Sequence, residues 1–230
     1  MSKEWESDQY DNVYASGGAD KIYDLPYRHS GYFPLFKEVT RTLRANGVRS
    51  VFEVGCGTGG FAHMWLDTGG AAYRGFDFSE VAVARAKART QRPELFFVGD
   101  ARLAETYLGE FDSIVCTEVL EHIENDLEVV EHWKPGAFCA CSVPNFDAEN
   151  HVRVFSSKAQ VVERYSPFID ITSVVQVKKP FLFDISWPNF ARQLRWNRYR
   201  PKRIVKLLGL DSFDRAGGWY VFSGRRKAKS

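Results

Sequence analysis

Over residues 50–145 the chain alternates between two hydrophobic rhythms. Apolar runs of strand length occur at residues 50–54, 72–76, 95–98, 113–117 and 138–143. Helical patterns separate most of them. Residues 60–67 follow the first run. Ser79 stands as an N-cap before residues 80–89, which are rich in Ala, Lys and Arg. Residues 125–133 carry Leu127, Val130 and Glu131 at helical spacing and stop at Lys-Pro-Gly. Strand–helix alternation predicts a parallel sheet with helices on both faces, an α/β fold.

Upstream, residues 33–45 read as an amphipathic helix ended by Asn46-Gly47. Downstream, residues 156–164 predict another helix. Residues 168–177 and 219–224 alternate as strands and are expected to pair at the end of the sheet. Residues 180–211 give no clear pattern. The final GRRKAKS is expected to fray.

Composition narrows the class. A chain of 230 residues, 44% hydrophobic and 15% aromatic, suits one globular domain with a full core and an added lid. The formal net charge of +2 gives no polycation to mark a nucleic-acid binder. None of the four cysteines (Cys56, Cys116, Cys139 and Cys141) forms a CxxC pair, so reduced core thiols are expected. The start, MSKEWESDQYDN, is polar and acidic, unlike a signal peptide. No apolar run reaches the roughly 20 residues that span a bilayer. These features lead to the expectation of a soluble cytoplasmic protein without membrane partners.

Candidate chemistry begins at VFEVGCGTGG, residues 51–60. A strand runs into a glycine-rich turn and then a helix. Glycines allow positive φ and close approach of backbone to a ligand. The helix start adds unpaired N–H groups. Gly55, Gly57 and Gly60 satisfy GxGxxG, which serves NAD as well as other adenosine cofactors. Asp77 closes the second strand in GFDFS, where its two oxygens suit two ribose hydroxyls. Gly99-Asp100-Ala101 closes the third and could bracket an adenine ring.

EVGCGTG from Glu53, FDFS from Phe76, VGDA from Val98 and FDSIVCTEVLEHI from Phe111 occur in this order. Together they resemble the class I S-adenosylmethionine-dependent methyltransferases, over residues 33–145 most clearly. The resemblance implies a three-layer sandwich around a seven-stranded, mostly parallel Rossmann-like sheet with its last strand antiparallel. It implies one methyltransferase domain over residues 1–230 that binds S-adenosyl-L-methionine. Gly55, Gly57 and Gly59 would lie against the cofactor's homocysteine part. Glu53 would support the loop, Asp77 would hold the ribose, and Phe78, Asp100 and Ala101 would frame the adenine.

In FDSIVCTEVLEHI, three ionisable residues follow a core strand: Glu118, Glu121 and His122. A helical turn there would set them on one face at i, i+3 and i+4. Two carboxylates and an imidazole suit a divalent cation. His151 follows the next strand, in a loop that parallel neighbours would bring alongside. This E-x-x-E-H, P-N, H-x-x-x-F-S order resembles two metal-assisted O-methyltransferase groups. These are the small-RNA 3′-terminal 2′-O-methyltransferases and the catechol-type enzyme of ubiquinone biosynthesis. By that resemblance Glu118, Glu121, His122 and His151 are metal ligands for Mg²⁺, Mn²⁺ or Zn²⁺, and His151, Glu118 and His122 are the catalytic candidates. The same E-H pair also occurs in metal-free relatives, where it caps the turn or lines the substrate pocket. There His151 would be a general base or an ordinary loop histidine.

Both ends of the chain offer substrate covers. Residues 1–32 read as an N-terminal lid segment, in which Tyr27 and Arg28 could reach the cofactor, Arg28 by pairing with its carboxylate. The tyrosines could equally pack the first helix on the sheet. Residues 185–210 hold seven Arg and Lys residues and no acid, interleaved with Phe190, Trp196 and Tyr199. Residues 180–211 are thus a basic aromatic insertion or substrate lid, suited to an anionic small molecule, to RNA, or to a solvated helical face. The leading expectation is O-methylation of a small metabolite. RNA ribose 2′-O-methylation, an NAD-binding oxidoreductase and a noncatalytic cofactor-binding module stand as alternatives.

Overall fold

The computed structural model describes residues 4–18 and 21–228. Seven strands form one sheet in the order β3-β2-β1-β4-β5-β7-β6. They are β1 (Ser50–Val54), β2 (Ala72–Asp77), β3 (Phe96–Val98), β4 (Ser113–Thr117), β5 (Phe138–Pro144), β6 (Ile169–Lys178) and β7 (Gly218–Arg226). β1 to β5 are parallel, and β7 runs antiparallel to both β5 and β6. The expected fold is borne out, including the closing antiparallel pair.

Nine α-helices surround the sheet among the described residues: α1 (Ser7–Ser16), α2 (Phe33–Ala45), α3 (Gly60–Asp67), α4 (Glu80–Thr90), α5 (Asp126–Glu131), α6 (Lys158–Tyr165), α7 (Trp187–Trp196), α8 (Pro201–Leu207) and α9 (Phe213–Ala216). Successive strand residues point to opposite faces, so each strand feeds two cores. Phe52, Ile114 and Cys139 pack on one side with Val129 and Val130 of α5 and Tyr165 of α6. Val51, Val115 and Ala140 pack on the other with Leu35 and Val39 of α2, Trp65 of α3 and Val83 of α4. Helices on both faces bury both, so every residue of β4 and β5 is buried and most are apolar.

Ser79 caps α4 as expected, its hydroxyl accepting from the Ala82 N–H. The tail expectation is corrected. Gly224 to Arg226 complete β7, and buried Arg226 donates to the carbonyls of Val130, Glu131 and Phe168. A charged tripeptide stays ordered because backbone acceptors satisfy its guanidinium. Lys229 and Ser230 lie outside the described residues.

Two segments add to this frame. α1 packs on α4: Asp11 accepts from the Ser79 hydroxyl, and the Tyr14 carbonyl accepts from Arg85. Residues 179–217 leave β6 and return to β7 through α7, α8 and α9. Their first stretch pairs with the N-terminal segment, through Gly31 N–H to the Phe183 carbonyl and Ile185 N–H to the His29 carbonyl. Beyond it Trp187, Trp196 and Tyr199 are exposed. No helix of the described residues is long and apolar enough to cross a membrane.

Candidate active site

The carboxyl ends of β1, β2, β3 and β4 open into one cleft, the usual ligand position of an open α/β sheet. Its narrow end, about 80 Å³, is lined by Gly55, Asp77, Phe78, Asp100, Ala101 and Val119. Its wide end, about 270 Å³, holds Gly57, Glu118, His122, His151, Tyr27 and Lys179. Tyr10 and Tyr14 of α1 border both ends.

The loop after β1 can turn sharply only because it is glycine. Gly55 has φ +68°, and a Cβ there would lie 2.3 Å from a Val119 methyl. Gly57 and Gly59 also have positive φ, and Gly59 lies flat against Ala86 of α4. Gly57 N–H donates to one Asp77 oxygen at 2.8 Å, and Ser79 N–H donates to the other at 3.0 Å. Burial pushes the Asp77 carboxyl up to about 6 despite those bonds. Glu53 is buried beneath the loop and accepts the Tyr73 hydroxyl. The cradle left by the missing Cβ atoms, with an acid at the end of β2, fits an adenosine cofactor.

Beyond the loop three of the four expected cluster residues, Glu121, His122 and His151, come together. β4 and β5 pair in parallel, with Thr117 opposite Ser142, so the segments leaving them emerge side by side. The Ser142 hydroxyl accepts from Glu118 N–H at 3.2 Å, and Val152 N–H donates to the Glu121 carbonyl at 2.8 Å. Glu121, His122 and His151 bring one ligand atom each within 4.8 Å of one another. The local geometry differs from the helical face expected. Glu118 takes a left-handed conformation, φ +57°, and a 3₁₀ turn follows at Leu120–His122. Glu118 therefore stands outside the three-residue group, though it borders the same cavity.

The electrostatics of the cluster are unusual. Glu121 is fully buried and, among the described residues, neither of its carboxylate oxygens has a hydrogen-bond partner, the nearest imidazole nitrogen being His122 Nε2 at 4.0 Å; one Glu118 oxygen is likewise orphaned. Burial raises the pKa of both, and for Glu121 the Glu118 charge adds to it. His122 Nδ1–H donates to the Asn150 carbonyl at 2.9 Å, and His151 Nδ1–H donates to the Phe146 carbonyl at 3.1 Å. A carbonyl only accepts, so both rings carry their proton on Nδ1 and present the Nε2 lone pair. Burial lowers both histidines, His122 to about 4, which keeps them neutral. Neutral imidazoles tied back to carbonyls, beside an unpaired buried carboxylate, fit a divalent cation.

Arg28 corrects the sequence reading. It is exposed, pairs with Asp67 at the end of α3 at 2.7 Å, and does not line the cavity, where it was expected to meet a cofactor carboxylate. Asp67 also accepts the Tyr27 hydroxyl, although Tyr27 still borders the cavity. Spacing could not reveal this, because Asp67 lies 39 residues away. Arg89, which donates to the Tyr23 carbonyl, borders the wide end instead. Tyr10, Tyr14 and Lys179 are cavity residues that sequence reasoning missed. Only the i, i+4 spacing of the two tyrosines hinted at a shared face. The arginines between 192 and 203 do not line this cavity.

Comparison with known proteins agrees with this geometry. Residues 52–136 match a family model described as a methyltransferase domain. The ubiquinone biosynthesis O-methyltransferase of Dechloromonas aromatica is 35% identical over 86 residues, 36% of this chain and 37% of that protein. The Cronobacter sakazakii protein of the same name is 32% identical over 117 residues, 46% and 48% of the two chains. This chain thus matches half or less of the length of those curated relatives. The crystal structure of the N-methyltransferase NodS of Bradyrhizobium japonicum, with S-adenosyl-L-homocysteine, aligns over 95% of this chain and 97% of its own. Its TM-score is 0.59 at 17% identity. The [4+2]-cyclase SpnF aligns over 97% and 96%, with TM-score 0.64 at 18% identity. At such identities the likeness concerns the fold, which by its nature does not select a reaction.

Proposed function

We propose that this chain is a class I methyltransferase, a reading supported by its fold and by the match over residues 52–136, and that it methylates a hydroxyl of a small molecule. The observation that carries this reading is the buried, unpaired Glu121 carboxylate facing the free Nε2 atoms of His122 and His151. The name shared by the two curated relatives described above, ubiquinone biosynthesis O-methyltransferase, supports oxygen as the acceptor atom.

S-adenosylmethionine, when bound, supplies a methyl group already activated by a sulfonium. The protein then has to bind, orient and exclude water. Gly55, Gly57 and Gly59 admit the cofactor's backbone-facing side, Asp77 suits the ribose, and Phe78, Asp100 and Ala101 border the adenine end. α1 and the first residues of the 180–211 segment act as covers over the cleft. Glu121, His122 and His151 would hold a divalent ion, which would lower the pKa of an acceptor hydroxyl and fix its position. Glu118, outside that group yet on the same wall, is left to take the hydroxyl proton. Its carboxyl pKa, raised by burial, suits a base working near neutral pH.

Thermal unfolding and methyl transfer test the reading together. S-adenosylhomocysteine at about 100 times its Kd should stabilise by about 2.7 kcal/mol, a rise of roughly 5–10 °C for a chain of this size. Mn²⁺ should add a further rise that EDTA reverses. His151→Ala should lose the Mn²⁺ increment and keep the S-adenosylhomocysteine increment. Labelled methyl transfer to catechol should require the metal. Full transfer in EDTA would remove the metal from the reading. Stabilisation by NAD and not by S-adenosylhomocysteine would overturn it entirely.

A further inference from the structure

Lys179 follows β6 directly and is half-buried against the wide end of the cavity. Its ammonium lies 4.0 Å from the centre of the Phe146 ring and 5.0 Å from that of Phe183. Among the described residues it makes no hydrogen bond and no ion pair of 4.0 Å or less. Its neighbour Lys178 is exposed and uses its ammonium differently, donating to the Gly209 and Asp211 carbonyls. Consecutive lysines at the end of one strand thus serve opposite faces. One ties down the 180–211 segment. The other is held between two aromatic faces with its donors unspent.

An ammonium removed partly from water without an acceptor costs free energy. Cation–π contacts with two phenylalanines return only part of it. The nearby Glu118 charge acts on Lys179 at a distance but does not pair with it. A carboxylate entering the cavity would supply the missing charge-assisted hydrogen bond. The same wall carries Glu118, His122 and His151, so a group bound at Lys179 lies in the same chamber as the acceptor hydroxyl.

The geometry points to Lys179 as the residue that selects a carboxylate-bearing methyl acceptor, anchoring the acid between Phe146 and Phe183 while the hydroxyl meets the 118–151 cluster. This rests on the chamber being the acceptor site of a methyltransferase. It adds a substrate class, a hydroxylated acid rather than a neutral phenol.

Binding by the S-adenosylhomocysteine complex tests it, with 3,4-dihydroxybenzoate and catechol as probes. A hydrogen bond to a charged group is worth about 1.5–3 kcal/mol, so the acid should bind at least about tenfold more tightly. Lys179→Met should erase that preference and Lys179→Arg should keep most of it, with S-adenosylhomocysteine affinity unchanged in both. Failure of S-adenosylhomocysteine to bind the unaltered protein would bring down the methyltransferase reading and this assignment with it. If it binds, the assignment alone is overturned by equal affinities for the two probes, by a preference that survives Lys179→Met, or by binding of neither probe.

Discussion

Glu53 sits inside β1, with Val51, Phe52 and Val54 around it in sequence and water almost excluded. Burial pushes its carboxyl from the usual 4.5 up to about 8. Between those values the folded chain keeps a proton that the unfolded chain has released. Stability therefore falls as pH rises through that window, by on the order of 5 kcal/mol at most. Glu53→Gln removes this titration and keeps an acceptor for the Tyr73 hydroxyl. The variant's melting temperature should gain on the parent's steadily from pH 5 to pH 8. Parallel curves would show that Glu53 is not held protonated. The cost is tolerable because the residue stands directly under Gly55, where the loop must be fixed for a ligand. Its position in EVGCG was legible in the sequence. Its protonation was not, since that depends on how completely the folded chain shuts water out around it, against the lowering effect of the Tyr73 hydroxyl 20 residues away.

At the scale of elements, Asp126 joins three segments that the sequence keeps apart. It opens α5, is fully buried, and accepts from Arg164 Nε at 3.0 Å and from the Tyr165 hydroxyl at 2.7 Å, both on α6. Arg153, in the loop leaving β5, approaches the same carboxylate at 3.2 Å. Arg153 also donates to the carbonyls of Leu120, Ile123 and Glu124. It thereby braces the turn carrying Glu121 and His122 against the loop carrying His151. Breaking a buried pair by removing one partner costs about 3–5 kcal/mol. Asp126→Ala should lower the melting temperature by roughly 10 °C and should weaken Mn²⁺ binding through the loosened turn. An unchanged melting temperature would mean that the arginines find other partners. Helices α5 and α6 were each foreseen from apolar spacing, whereas their ionic link was not, because a buried Asp and a surface Asp look alike in a sequence.

Over the whole molecule, α1 lines both ends of the cleft through Tyr10 and Tyr14. Tyr10 packs edge-on against both Phe78, at 5.2 Å between centroids, and His122, at 6.0 Å, and so spans the two ends of the cavity. Its hydroxyl accepts from the Asn150 amide at 3.0 Å. The helix contributes no buried residue to either core. It is held by polar and aromatic contacts at the cleft, so its stability should depend on what the cleft contains. Amide hydrogen exchange should show residues 7–16 slowed about tenfold or more by S-adenosylhomocysteine, with β4 and β5 unchanged. Equal exchange in the free and bound protein would mean that α1 is a fixed wall rather than a cover.

The sequence by itself determined the strand order's raw material, the α4 cap, the glycine loop with Asp77, and the residues Glu121, His122 and His151. These follow from local physics: periodicity, capping, positive φ, and acids at strand ends. Tertiary structure decided what needs distant partners. Asp67 drew Arg28 away from the cavity, and a left-handed backbone set Glu118 apart from its neighbours. Backbone acceptors kept the basic end of β7 ordered. Two phenylalanines from different segments turned Lys179 inward. A side chain's role is set by the free energy of its surroundings, and those surroundings are assembled by residues far away along the chain.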